Sequence, residues 1–131
     1  MCIFCKIIEG EIPSRKVYED DDILAILDIS QTTKGHTLVM PKKHYDDFLQ
    51  MPEKQFGTLM EKVQQIAAQI VKNLNAEGCN VLINTGEAAG QTVGHIHVHI
   101  IPRYDENDTV SFSFTENQFD LDEILKEIKE N

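Results

Sequence analysis

The hydrophobic positions of this chain follow a strand-like pattern before residue 45 and a helical pattern from Pro52 to Leu74. Apolar residues first concentrate in three short stretches, KVYED (16–20), DILAILDI (22–29) and GHTLVMPKKH (35–44). Short runs rich in Val, Ile and Leu predict strands. The first two strands flank an acidic turn, and the third is expected to end at Pro41.

From Pro52 onward, the apolar residues recur every three or four positions. They are Phe56, Leu59, Met60, Val63, Ile66, Ala67, Ile70, Val71 and Leu74. This spacing predicts one long amphipathic helix whose apolar stripe packs on a sheet. Pro52 is a favourable first helical residue, and Gly78 is placed to end the helix.

Two further strands, CNVLINT (79–85) and HIHVHII (95–101), follow the helix, with a glycine-rich connection, GEAAGQTVG (86–94), between them. Near the end of the chain, apolar residues at helical spacing in FDLDEILKEIKEN (119–131) predict a C-terminal helix. Strands on both sides of a long helix favour an α+β fold, with an antiparallel sheet of about five strands and helices on one face. No repeat or linker divides the chain, so we expect a single domain over residues 1–131.

The composition of the chain argues against some classes of binding partner and indicates the cellular compartment. The net charge of −10 argues against a general affinity for nucleic acid or anionic membranes. No apolar run approaches the ~20 residues that span a bilayer, and MCIFCKIIEGEIPSRK (1–16) lacks the features of a signal peptide. We therefore expect a cytoplasmic protein whose three cysteines are reduced or bind metal.

Three of the five histidines, His95, His97 and His99, occupy alternate positions of one predicted strand and would share one of its faces. One interpretation is a half-exposed strand whose polar face happens to consist of histidines, but it explains poorly why three of the five histidines lie within five residues. One metal ion held by all three is disfavoured, because Cβ atoms four residues apart on a strand are roughly 13 Å apart. A catalytic site fits better, since imidazole can act as nucleophile or proton donor near neutral pH. The adjacent glycine loop can turn N–H groups toward phosphate oxygens.

The segment HIHVHI resembles the signature of the histidine-triad (HIT) family of nucleotide hydrolases and transferases, in which histidines alternate with apolar residues. CKIIEGEIPSRKVYEDDDILAILDIS, GHTLVMPKKH and GQTVGHIHVHIIPR also resemble signature segments of this family, in the same order. Together they extend from about residue 4 to residue 103. The resemblance, which is strongest to Hint-like bacterial members, implies the HIT fold and a homodimer joined through the long helices and a sheet edge.

The resemblance also implies chemical roles. His97 would be the nucleophile that attacks the α-phosphorus and carries a nucleoside monophosphate until water releases it. His99 would contact the phosphate and assist the leaving group, while His36 would support the site from the neighbouring strand. Asp28 matches the acid that accepts hydrogen bonds from the ribose hydroxyls. The resemblance implies an apolar wall around the base, formed by Phe4, Ile7, Ile12 and Ile29; the alternative for these residues is simple core packing. It also implies contacts to ribose and phosphate from Asn84, Gln91, Thr92 and Val93.

The pair of cysteines in CIFC (2–5) is half of a zinc motif. A tetrahedral structural site needs two more ligands. Relatives in the bacterial HIT proteins and the galactose-1-phosphate uridylyltransferases combine such a pair with two histidines, which implies a structural zinc on Cys2, Cys5, His44 and His95. The alternative is that the cysteines flank a frayed terminus and bind nothing. Because four protein ligands leave no position for water, no catalytic metal is expected.

The predicted activity is cleavage of a nucleoside monophosphate from a leaving group on its α-phosphate, in a purine nucleoside phosphoramidate or an adenylylated amine. A dinucleoside polyphosphate hydrolase differs only in the leaving group, and a nucleotide-binding adaptor would show little turnover. A zinc-stabilised interaction module would bind no nucleotide at all. The chain has no Trp, and residues 105–131 end in an acidic helix, unlike animal Hint-type proteins, so the leaving group stays open.

Overall fold

The computed structural model describes residues 2–130, which form a five-stranded antiparallel sheet and three α-helices. The strands lie in the order β1-β2-β3-β5-β4. Their bounds are β1 Lys16–Glu19, β2 Ile23–Leu27, β3 Thr37–Pro41, β4 Gly78–Leu82 and β5 Val98–Arg103, and those of the helices are α1 Ile3–Ile8, α2 Glu53–Asn73 and α3 Leu121–Glu130. The predicted α+β class and single antiparallel sheet are confirmed.

The main hydrophobic core lies between α2 and one face of the sheet. The predicted apolar stripe of α2 meets inward-facing residues of β2, β3 and β5 there. The residues of this core include Leu59, Val63, Ile66 and Ile70 of α2 and Ile23, Val39, Val98 and Ile100 of the strands. This packing sets β5 against β3, with His99 opposite Leu38, so one end of the histidine row is fixed by the core beneath it.

The helix α2 ends earlier than the sequence predicts. Its last residue is Asn73, and Asn75 adopts the left-handed conformation with φ 57°. Asparagine tolerates that conformation at a helix end because its short polar side chain can hydrogen-bond locally. Gly78, predicted to end the helix, instead begins β4. Pro52 is the N-cap and not the first helical residue.

The helix α1 was not predicted, and it covers the face of the sheet opposite α2. Phe4 of α1 is only 7% exposed and packs in a second core with Leu24, Leu38 and Met40. The prediction of helices on one face was therefore wrong. Cys2 caps this helix, since its Sγ accepts a hydrogen bond from the Cys5 N–H, so the cysteines belong to an ordered turn.

The last strand begins later than predicted, at Val98, so His95 and His97 precede it. The Ile96 N–H donates to the Tyr45 carbonyl over 2.8 Å and so does not enter the sheet. Side chains still alternate, because Ile96 and Val98 are buried in the α2 core. The histidines are thereby excluded from that core.

The helix α3 forms where predicted, and its Leu121, Leu125 and Ile128 are exposed. Within residues 2–130, no helix combines the length and apolarity needed to cross a membrane.

Candidate functional site

A cavity of about 400 Å³ lies beside α1, between the ends of β2 and β5. Every predicted nucleotide-binding position lines it except Asn84 and Gln91: the lining includes Phe4, Ile7, Ile12, Asp28, Ile29, Thr92, Val93, His97 and His99. Sequence reasoning missed the polar lining residues Ser14, Arg15 and Ser30. Each lies two or three residues after Ile12 or Asp28 in the chain, which is a signal that could have identified them.

One wall of the cavity is apolar and partly shared with the core. The ring of Phe4 meets that of His97 edge-on at 4.9 Å between centroids. Phe4 therefore packs in the second core and also lines the cavity. Ile29 differs, since it is 94% exposed and lies at the rim.

His97 has its ring hydrogen fixed by the backbone. Its Nδ1 lies 2.7 Å from the His95 carbonyl oxygen, and a carbonyl can only accept, so Nδ1 carries the hydrogen. The lone pair of the neutral ring is then on Nε2. Burial lowers the pKa of His97, although the bond to the His95 carbonyl opposes the shift. A neutral, oriented imidazole with a free Nε2 is suited to nucleophilic attack.

His99 is oriented by a chain of hydrogen bonds through His36. The Thr32 N–H donates to His36 Nδ1 over 3.4 Å, which leaves the hydrogen of His36 on Nε2. This Nε2–H donates to His99 Nδ1 over 2.9 Å. The hydrogen of His99 is consequently on its own Nε2, where it can donate to a bound phosphate. His36 thus fixes the orientation of the His99 ring.

Asp28 follows the last residue of β2. Its Oδ1 accepts the Ser30 N–H over 2.8 Å, and its Oδ2 lies 3.7 Å from His36 Nε2, too far for a hydrogen bond. Oδ2 is therefore available to accept from hydroxyl groups of a ligand, the role the resemblance implies for Asp28.

The glycine loop is closed by the side chain of Gln91. Gly86 and Gly90 adopt positive φ angles of 84° and 98°, which glycine tolerates without strain. Gln91 Oε1 accepts the Gly86 N–H over 2.9 Å, and its Nε2 donates to the carbonyls of Asp46 and Val93 over 2.7 and 2.9 Å. Gln91 is thus occupied within the loop, and Asn84 lies close to Gly90.

Burial, together with the neighbouring His97 and His36, lowers the pKa of His99 to about 4, while Asp28 opposes the shift. An unfolded chain binds this proton near pH 6.5. Between about pH 6.5 and 4 the unfolded state therefore holds more protons, and stability should fall as pH falls. We expect His99→Gln to lose less unfolding free energy than the wild type between pH 6.5 and 5. Equal slopes in urea titrations of the two proteins would contradict this expectation.

Four predicted metal ligands lie together at the other end of the histidine row. Their ligand atoms lie within 4.8 Å of one another. The two Nδ1 atoms of His44 and His95 are 3.1 Å apart, and Cys2 Sγ and Cys5 Sγ each lie 3.4–3.6 Å from them. Tetrahedral zinc with ordinary bond lengths requires about 3.3 Å between nitrogens and about 3.5 Å between nitrogen and sulfur. The cluster has the dimensions of a zinc site.

The hydrogen bonds around this cluster also suit a cation. His95 Nε2 donates to the Pro41 carbonyl over 2.8 Å, and His44 Nε2 donates to Asp46 Oδ1 over 2.8 Å. In the neutral rings both Nδ1 lone pairs consequently face the cysteine sulfurs and each other, an arrangement that a metal ion stabilises. Partners of this kind commonly orient metal-binding histidines.

The described residues include a second trio of close donor atoms, on Asp28, His36 and His99. Here the hydrogen on His36 Nε2 already joins two of the three donors. A metal would have to displace that hydrogen to Nδ1, where it would oppose the Thr32 N–H. His36 and His99 are therefore already joined by a hydrogen bond, and among the described residues only the cysteine–histidine cluster has the hydrogen pattern of a metal site.

Comparison with known proteins agrees with this geometry. The HIT domain family matches residues 9–106. An uncharacterised HIT-like protein of Methanocaldococcus jannaschii is 51% identical over 98% of this chain and 99% of its own. The adenylylsulfatase HINT3 of Arabidopsis thaliana is 46% identical over 78% of this chain and 52% of its own.

Solved structures show the same fold. A HIT family protein from Bacillus anthracis superposes with a TM-score of 0.91 and 45% identity, over 98% of this chain and 93% of its own. A zinc-bound histidine triad family protein from Mycobacterium smegmatis has a TM-score of 0.76 and 42% identity, over 88% of this chain and 84% of its own. The matched signature segments, the shared fold and the ordered histidine row lead to one assignment: the chain belongs to the HIT family.

Proposed function

We propose that this protein hydrolyses a nucleotide at the α-phosphorus and releases a nucleoside monophosphate through a covalent intermediate on His97. The observation that carries the proposal is the hydrogen bond of 2.7 Å between His97 Nδ1 and the His95 carbonyl. It leaves Nε2 as the free nucleophile in a ring that lines the cavity. The apolar wall suits a base, and Asp28 Oδ2 suits the ribose hydroxyls.

The reaction has two displacements at one phosphorus. First, the Nε2 lone pair of His97 bonds to the α-phosphorus, and the leaving atom departs with its bonding electrons and takes up a proton from solvent. The Nε2–H of His99 donates a hydrogen bond to a phosphate oxygen, which stabilises the developing charge. Water then attacks the phosphorus, the P–N bond breaks, and its electrons return to Nε2. A proton from the water passes to solvent.

The substrate we favour is a purine nucleoside phosphoramidate or an adenylylated amine. The name adenylylsulfatase of one relative supports an adenylyl group in the substrate and leaves the leaving group open. A dinucleoside polyphosphate is the alternative substrate. Incubation with adenosine phosphoramidate and with diadenosine polyphosphate, followed by measurement of released AMP, distinguishes the two. Binding without turnover would favour a nucleotide-binding adaptor, and neither binding nor turnover would favour a zinc-stabilised interaction module.

We further propose that Cys2, Cys5, His44 and His95 hold a structural zinc. The donor distances and the inward lone pairs support it, and one solved relative is described as zinc-bound. A zinc with four protein ligands has no open position and supplies structural cross-linking, here between α1 and the segment that precedes β5.

A homodimer is the assembly we propose. The strand β4 lies at the edge of the sheet, and its Val81 is 47% exposed, so an unpaired strand edge is available to a second copy. Size-exclusion chromatography with light scattering tests this, and a monomer at micromolar concentration would contradict it.

Replacing Asp28 by Ala should raise KM more than it changes kcat. Hydrogen bonds to a charged group contribute about 1.5–3 kcal/mol, which corresponds to about 10- to 150-fold in binding. A substrate with a 2′,3′-dideoxyribose is the matched control, because it cannot donate to Asp28. Wild type and variant should have the same KM for that substrate, and a persisting difference would show that Asp28 acts otherwise.

A further inference from the structure

The side chain of Gln91 connects the glycine loop to a segment that carries a metal ligand. Its Nε2 donates to the backbone carbonyl of Asp46 over 2.7 Å. The carboxylate of the same Asp46 accepts from His44 Nε2 over 2.8 Å. The Gln91 Oε1 accepts from the Gly86 N–H over 2.9 Å. One side chain therefore joins the start of the loop to the residue that orients His44.

The two residues that follow Gln91 in the chain belong to the cavity lining. Gln91 Nε2 also donates to the Val93 carbonyl over 2.9 Å, and Thr92 and Val93 both line the cavity. Both polar atoms of the Gln91 side chain are engaged in these hydrogen bonds, so one side chain joins the Asp46 backbone to the cavity lining. Sequence reasoning placed Gln91 on the nucleotide, and this structure places it between the two sites.

His95 provides a second link between the sites. Its imidazole Nδ1 belongs to the metal cluster, while its carbonyl oxygen accepts the hydrogen of His97 Nδ1 over 2.7 Å. The residue has 0% exposure, so its ring and backbone have little freedom to move independently. Two sets of contacts therefore connect the metal cluster with the cavity, one through His95 and one through Gln91.

We propose that Gln91 is a positioning residue that couples zinc affinity to nucleotide affinity. The inference rests on the proposed function and on the proposed zinc. Coupling between two sites is reciprocal, so the factor by which zinc raises nucleotide affinity equals the factor by which nucleotide raises zinc affinity. A zinc-affinity measurement therefore reports the coupling without any turnover.

The experiment measures the zinc Kd of the full chain in buffers of fixed free zinc, with and without saturating AMP. We expect AMP to lower the wild-type zinc Kd by about fivefold or more, as in ordinary allosteric coupling. In Gln91→Ala this factor should fall to less than half of the wild-type value, because only the link through His95 remains. Gln91→Glu should show a similar loss, because its carboxylate lacks the N–H groups that donate to the Asp46 and Val93 carbonyls. Glu87→Ala, an exposed change in the same loop, should keep the wild-type factor.

Calorimetric titration of AMP into the same zinc-loaded samples separates the two proposals. AMP binding with an unchanged wild-type zinc Kd would overturn the coupling and leave the proposed function standing. Full coupling in Gln91→Ala would overturn the role of Gln91. Absence of AMP binding to the wild type would overturn the coupling together with the proposed function. Circular dichroism of the Gln91 variants establishes that they are folded, and the wild-type result alone decides whether coupling exists.

Discussion

His97→Ala is expected to lower kcat by about 10⁴-fold or more while the protein still binds AMP. The variant lacks the Nε2 lone pair that forms the covalent bond, and removal of a nucleophile abolishes the two-step route entirely. The remaining cavity wall and Asp28 still contact base and ribose. Initial rates with adenosine phosphoramidate and calorimetric titration with AMP measure the two properties.

A matched change at the end of the histidine row gives the contrast. His99→Ala removes a hydrogen-bond donor and leaves the nucleophile, so its kcat should fall by only about 10²- to 10³-fold, the usual loss for one charge-stabilising donor. Activity of His97→Ala within tenfold of the wild type would exclude the covalent route. Loss of AMP binding along with activity would instead indicate a disrupted site.

Cys5→Ser is expected to abolish zinc binding and to lower Tm by about 10 °C or more. A ligand present at 1,000 times its Kd stabilises a protein by about 4 kcal/mol, and each kcal/mol corresponds to a few degrees for a chain of this size. A chelator should lower the wild-type Tm by a similar amount and leave that of Cys5→Ser unchanged. Differential scanning calorimetry and metal analysis of the purified proteins measure both effects.

Cys79→Ser is the control for this experiment. Cys79 lies in β4, does not belong to the metal cluster, and packs against the main core. It should retain zinc and remain sensitive to the chelator. If the wild type bound well under one equivalent of zinc, or if the chelator left its Tm unchanged, the structural metal would be excluded.

The elements that were predicted correctly have either a long run of periodic apolar residues or a residue that clearly ends the element. The α2 stripe repeats over five turns, and Pro41 ends β3 as expected. The elements that were missed depend on short or tertiary signals. The helix α1 has only six residues, too few to show a helical period. Asn75 ended α2 before Gly78 because a local left-handed turn was sufficient.

The site was predicted as a set of residues but not as a set of hydrogen positions. The resemblance was sufficient to place His97, His99 and Asp28 together and to separate His95 from them as a metal ligand. The tautomers could not be predicted, because they depend on tertiary contacts such as His95 to Pro41 and His36 to His99. The hydrogen bond from Gln91 to Asp46 is likewise a contact over 45 residues, which no local pattern in the sequence encodes.

Mass spectrometry of the protein quenched during turnover of adenosine phosphoramidate tests the covalent route most directly. Trypsin leaves the three histidines on one peptide, since no Lys or Arg lies between Lys72 and Arg103, so fragmentation must locate the adduct. We expect one acid-labile adenylyl group on His97 and none in His97→Ala. An adenylyl group on His95 or His99, or steady turnover without any adduct in rapidly quenched samples, would contradict the account.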